Sequence, residues 1–199
     1  HDLLAPLIEG YAAWIKDEEA ASVGMPSELK DASKRLVAKA RGVLERMSHG
    51  LELLTSSSHE KAFDAFKIAN QAMRAQQRSG KLGLRTFKDE ENAQKKFTPI
   101  VEPSDKYGFW RPFQMGFILM AIAGVIDESD PSRENVDLIF FPTGGGKTEA
   151  YLGLSAFTIA YRRLLEPNHS GVDVLMRYTL RLLTVQQFER SSALIVALE

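Results

Sequence analysis

The chain has 199 residues, 44% of them apolar, which suits one or two domains with a buried core. A formal charge of −1 gives no bulk electrostatic attraction to nucleic acid, so any such contact needs a local surface. The chain has no cysteine, which excludes disulfides and cysteine-held zinc or iron–sulfur sites and fits a reducing, cytoplasmic setting.

The first half reads as helical. Leu4, Leu7, Ile8, Tyr11 and Ile15 recur at helical spacing within 3–21, and Gly24, Met25 and Pro26 interrupt the pattern. Ser27 is placed to cap a second helix carrying Leu29, Leu36, Val43, Leu44 and Met47. Ser57 and Glu60 have capping-box spacing ahead of a third helix, which runs to about Ser79 with Ala62, Phe63, Phe66, Ala69 and Met73 on one face. Such stripes ordinarily pack into a core. Arg74, Arg78, Lys81, Arg85 and Lys88 form a loose basic cluster, read first as a solvated face and second as a DNA contact.

The pattern changes after Pro103. Residues 111–123 read as a buried helix with Pro112 in its first turn, followed by a polar loop over 127–134. Apolar runs at 136–141 and 172–176 suit buried strands, each followed by a helix, at 147–165 and 180–198. The order strand–helix–strand–helix predicts a parallel α/β sheet. The division expected is a helical region over 1–104 and an α/β unit over 105–199. No stretch approaches the ~18 apolar residues of a membrane span. No basic region followed by an apolar run marks a signal peptide, and the chain, which begins at His1, is read as a fragment or a processed product. His1, His49, His59 and His169 lack metal-ligand spacing and read as solvated residues.

The segment that carries chemistry is Pro142-Thr143-Gly144-Gly145-Gly146-Lys147-Thr148. Three glycines let the main chain turn tightly and present N–H groups to phosphate oxygens, and the following helix points its N-terminus at the same anion. Lys147 supplies a mobile charge for the β- and γ-phosphates, and the Thr148 hydroxyl suits Mg²⁺. ATP and Mg²⁺ are the expected cofactors, with Thr143, Gly144, Gly145, Gly146, Lys147, Thr148 and Glu149 at the nucleotide, Lys147 and Thr148 as catalytic groups and Thr148 on the metal. The strict pattern asks for glycine where this chain has Phe141.

These residues resemble motif I of superfamily-2 helicases, and two flanking segments agree. Arg111-Pro112-Phe113-Gln114 resembles the Q-motif, in which a glutamine amide reads adenine; Gln114 and Arg111 are the corresponding candidates. Phe97 lies 17 residues before Gln114, the offset of an adenine-stacking aromatic in some of these helicases, and Tyr107, Phe109 and Trp110 compete for that role. Downstream, the segment 176–187 resembles motif Ia, which implies nucleic-acid contacts by Arg177, Thr179, Arg181 and Gln186. The implied fold is a partial RecA-like P-loop lobe, α/β with parallel strands and flanking helices, preceded by the helical region. Residues 105–199 further resemble the helicase-domain protein of the DISARM anti-phage system, which implies a large bacterial protein that binds DNA, works with a partner subunit and acts in defence against phage.

No Asp-Glu pair follows an apolar strand after Thr148, and Asp127-Glu128 precedes the loop. A Walker B motif and a second lobe are therefore missing, and these 199 residues alone are not expected to hydrolyse ATP. Two other readings stay open. A P-loop nucleotide or small-molecule kinase explains the loop but neither flanking segment. A non-catalytic helical interaction module with a nucleotide-sensing loop explains the missing acidic motif.

Overall fold

The structure is a computed structural model that describes residues 3–79, 108–142, 144–168, 170–178 and 181–199. Six α-helices occur among them: α1 (Ala5–Val23), α2 (Ser27–Thr55), α3 (Glu60–Ser79), α4 (Pro112–Ile126), α5 (Lys147–Leu165) and α6 (Arg181–Leu198). Short 3-10 turns lie at Ser57–His59 and Pro131–Glu134.

Local chemistry explains most boundaries. α1 stops at Gly24, and Pro26 sets the extended residue before α2. Ser27 is the first residue of α2, but its side chain makes no cap bond. The expected Ser57–Glu60 capping box gives way to a 3-10 turn in which the Ser56 hydroxyl accepts from the Ser58 amide at 3.3 Å. Pro112 occupies the first turn of α4, where its missing N–H costs no helical bond.

One apolar core joins five of the helices. α2 contributes Met47, Leu51 and Leu54; α4 contributes Ile118, Leu119 and Ile122; α5 contributes Leu152, Ala156 and Phe157; and α6 contributes Leu194. α3 contributes Ala62, Ala65, Ala69 and Ala72, a stripe of small residues on the helix that packs most extensively against α5. Ridges this low let two helices approach closely. α2 and α4 also cross closely, with Gly50 lying against the main-chain carbonyl of Leu119. α3 packs in addition on α6, and α1 lies on α2.

The expected α/β fold is not formed: no strand and no sheet occur among the described residues, so the RecA-like lobe with parallel strands is corrected to an all-helical arrangement. Segments 136–141 and 172–176 form neither helix nor strand, the second bending at Asp173, and no main-chain hydrogen bond pairs them within that set. A strand is stable only when a neighbour takes up its N–H and C=O groups and covers its side chains. Here Val136 is 98%, Leu138 85% and Phe140 88% exposed. The first segment is instead tied to α2 by a bidentate pair in which Arg46 donates to both carboxylate oxygens of Asp137 at 2.7 Å. The second is tied to α5 by Arg162 and Asp173, 3.7 Å apart.

Candidate functional site

The first extended segment delivers the chain to the glycine loop. The Gly145 amide donates to the Pro142 carbonyl at 3.1 Å, closing a turn. Gly144 (φ 79°) and Gly146 (φ 87°) hold left-handed conformations that other residues rarely adopt, and Gly146 caps α5. Lys147 and Thr148 are therefore the first two residues of a 19-residue helix. Phe141 needs no glycine, since no non-glycine residue among those described has positive φ. Its ring stacks on Phe113 of α4 at a 4.0 Å centroid separation and 17° between planes.

The polar groups around the loop largely hold one another. Lys147 donates from Nζ to the carbonyls of Phe141 at 2.5 Å and Pro142 at 3.1 Å, so the ammonium lies folded into the loop. Arg111 donates to the Gly145 carbonyl at 3.0 Å. Gln114 is buried; its Nε2 donates to the Gly146 carbonyl at 2.7 Å, and its Oε1 accepts from the Arg111 amide at 2.8 Å. Each end of that amide keeps one further hydrogen-bonding position. Gln114 is thus first a strut between α4 and the loop, and retains one donor and one acceptor for a ligand.

Thr148 is held from two sides. Tyr151 donates to its Oγ1 at 3.0 Å and Gln187 of α6 donates at 3.3 Å. Beside it, Arg190 of α6 pairs with Glu149 at 2.5 Å. A hydroxyl has two acceptor positions, and both are engaged here. Mg²⁺ takes one or two protein oxygens together with phosphates and water. Thr148 fits that demand once either donor yields its place. Glu149 has its charge matched by Arg190, so it fits a role in holding α6 better than one in liganding the metal.

An open cavity of 580 Å³ runs along this face, lined by the loop glycines Gly144 and Gly146, by Arg111, Gln114 and Phe109, and by Gln76 and Gln77 of α3. α6 closes it with Gln186, Glu189 and Arg190. Among the aromatic candidates, Phe109 lies at this cavity and is 74% exposed as a residue. Trp110 is engaged elsewhere: its Nε1 donates to Asn70 at 2.6 Å and its ring lies against Gly153. Phe97, Tyr107, Thr143, Thr179 and the side chain of Arg181 lie outside the described residues. Arg177 and Gln186 are not brought together: Gln186 faces the nucleotide-loop cavity, whereas Arg177 lines a separate groove with Tyr151 and Tyr178. Burial pushes the Tyr178 hydroxyl well above the ordinary tyrosine range, with the neighbouring Tyr151 adding to the shift.

Tyr151, Gln187, Arg190, Gln76 and Gln77 were not singled out by the sequence. One of them left a signal. Gln76 continues the α3 stripe of Ala62, Ala65, Ala69, Ala72 and Met73, so it is a polar residue at a core position. The α6 residues left none, because an exposed and a buried glutamine stand side by side at 186 and 187.

No protein-family model matches the chain. The chain is similar along its whole length to the "DISARM protein DrmA" of Bacillus paralicheniformis, with 39% identity over 204 aligned positions. It spans 17% of that protein's length. Among the described residues, no helix is long and apolar enough to cross a membrane.

Proposed function

We propose that this chain is the nucleotide-binding part of an ATP-dependent DNA helicase or translocase that serves bacterial anti-phage defence together with a partner subunit. The observation that carries the reading is the loop itself. Gly144 and Gly146 turn the chain into the N-terminus of α5, with Lys147 and Thr148 in its first turn. That geometry suits polyphosphate, because helix-terminal N–H groups attract an anion that a flexible ammonium, once released from the loop carbonyls, can also reach. The similarity to the DISARM protein supports the defence role, and the resemblance of 111–114 and 176–187 to helicase motifs supports the motor.

Lys147 leaves the carbonyls of Phe141 and Pro142 to meet the terminal phosphates. Thr148 would hold Mg²⁺ through its hydroxyl, and the ion would supply charge neutralisation at the phosphate oxygens. Arg111 and Gln114 hold the loop open from the side of α4, and Phe109 offers a face on which the base stacks. Arg177, Thr179 and Arg181 are the candidates for the nucleic-acid backbone, with Gln186 standing nearer the nucleotide.

The test has two stages. Fluorescent ATP titrated into this chain with Mg²⁺ is expected to bind, and Lys147→Ala to weaken binding at least about tenfold, in line with losing a charge-assisted bond. ATP hydrolysis by the full-length natural protein is expected to rise with DNA and to vanish in the same variant. Equal binding by wild type and Lys147→Ala defeats the nucleotide assignment; hydrolysis indifferent to DNA defeats the motor.

A further inference from the structure

We propose that Gln187 of α6 is a positioning residue for the metal-binding hydroxyl: its side-chain amide, turned end for end, changes from donor to acceptor for Thr148 and so frees one acceptor position of that hydroxyl for Mg²⁺. The proposal rests on the nucleotide reading of the loop and adds the residue that prepares Thr148 for the metal.

Two observations meet at this amide. Its Nε2 donates to Thr148 Oγ1 at 3.3 Å. Its Oε1 is buried and has no hydrogen-bond partner among the described residues. Gln187 as a whole is 8% exposed. A buried acceptor left unpaired costs free energy that an apolar side chain at the same place on α6 avoids, so packing alone does not account for a glutamine here. The two ends of an amide are nearly alike in size, and the last torsion of the side chain is soft, so the ends exchange with little movement of their surroundings. Either way round, the amide makes one bond to Thr148 and leaves its other end unpaired. Neither orientation is therefore strongly favoured before the metal arrives.

The hydroxyl of Thr148 has one proton and two acceptor positions, and Tyr151 and Gln187 take both positions. Once the amide turns, Thr148 donates its proton to Gln187 Oε1, Tyr151 keeps its bond, and one acceptor position faces outward for Mg²⁺. Gln187 is the donor that yields. Its bond is the longer of the two, 3.3 Å against 3.0 Å, and it comes from another helix. Tyr151 lies three residues along α5 and moves with the threonine. The helix that carries Gln187 stays in place during the exchange, because Arg190 pairs with Glu149 and Leu194 sits in the core.

The experiment titrates a fluorescent, non-hydrolysable ATP into the full-length natural protein, with Mg²⁺ and with EDTA. The proteins compared are wild type, Lys147→Ala, Gln187→Leu, Gln187→Glu, Thr148→Val and the pair Thr148→Val with Gln187→Leu. Gln187→Leu offers no acceptor and is expected to bind about three- to tenfold more weakly with Mg²⁺, the effect of a lost hydrogen bond, and unchanged in EDTA. Gln187→Glu is an acceptor only and is expected to bind with Mg²⁺ at least as tightly as wild type. A packing role predicts the reverse order, since a buried carboxylate disrupts more than a leucine. In the Thr148→Val background, Gln187→Leu is expected to add nothing, because the hydroxyl it serves is gone. That pair decides the question if Gln187→Glu fails to fold. Wild-type or tighter Mg²⁺-dependent binding by Gln187→Leu overturns the proposal, as do equal losses with Mg²⁺ and EDTA, a folded Gln187→Glu that binds more weakly than Gln187→Leu, and a further loss in the pair. Absence of nucleotide binding by wild type, or binding that Lys147→Ala leaves intact, rejects the nucleotide reading itself and this proposal with it.

Discussion

The side-chain amide of Gln114 donates to the main-chain carbonyl of Gly146 at 2.7 Å, so the first turn of α4 grips the residue on which α5 begins. The same side chain accepts from the Arg111 amide, which makes it a brace with both ends on main chain. Gln114→Ala is expected to destabilise the chain by roughly 1 kcal/mol, because it leaves a part-buried carbonyl and amide without their side-chain partner. Gln114→Glu keeps the acceptor but loses the donor, and is expected to fall between the two in urea denaturation. A wild-type midpoint for Gln114→Ala contradicts the brace.

Two glycines of α2 are expected to respond in opposite directions to alanine. Nothing stands within 4 Å of a methyl group at Gly42, so Gly42→Ala gains about 0.5–1 kcal/mol from reduced chain entropy. At Gly50 the methyl group meets the Leu119 carbonyl, which is main chain and cannot swing aside. Gly50→Ala is expected to cost at least about 1–3 kcal/mol through separation of α2 from α4. Thermal melts of the pair test the crossing.

Phe141 stands where the strict phosphate-loop pattern has glycine, yet its ring stacks on Phe113. Phe141→Gly therefore brings the sequence nearer the pattern and removes a contact worth about 0.5–1.5 kcal/mol beyond its buried area. The variant is expected to be less stable and no better at binding nucleotide. Improved nucleotide affinity in Phe141→Gly would falsify the view that Phe141 anchors the loop to α4.

The turn before the first extended segment has an acid-sensitive support. Hydrogen bonding from Ser132 holds the Asp130 carboxyl below the usual aspartate range against the opposing effect of burial, and His49, 3.2 Å away, favours the same charge. A folded value below the unfolded one means that the stabilisation is complete above pH ~4. It fades as pH falls through the lower folded value. Stability measured from pH 5 down to pH 2 is expected to drop less steeply in Asp130→Asn than in wild type, and identical slopes would remove Asp130 from the account.

Much of the helical structure was legible because it depends on local signals. Lys147–Leu165 follows from the loop and its apolar period, and Gly24 with Pro26 separates α1 from α2. The two strands were misread because a short apolar run specifies only that its side chains suit burial. Whether Val136 and Leu138 become a strand depends on neighbours that the run does not encode, and those neighbours do not occur among the described residues. Around the loop, Lys147 and Thr148 were singled out by the glycine pattern and Gln114 by resemblance to the Q-motif. The partners Tyr151 and Gln187 could not, since the hydroxyl of Thr148 is met by a residue 39 positions away through helix packing.

The exposed run Val136-Asp137-Leu138-Ile139-Phe140-Phe141 has a consequence for anyone who handles the protein. It is rich in β-branched and aromatic residues, carries a single charge already committed to Arg46, and has no proline or glycine. Short segments of that composition stack readily with copies of themselves. Light scattering by concentrated solutions is expected to grow with time, and a lysine at Leu138, remote from Lys147 in sequence, is the economical remedy because a charge on an exposed extended segment blocks such stacking.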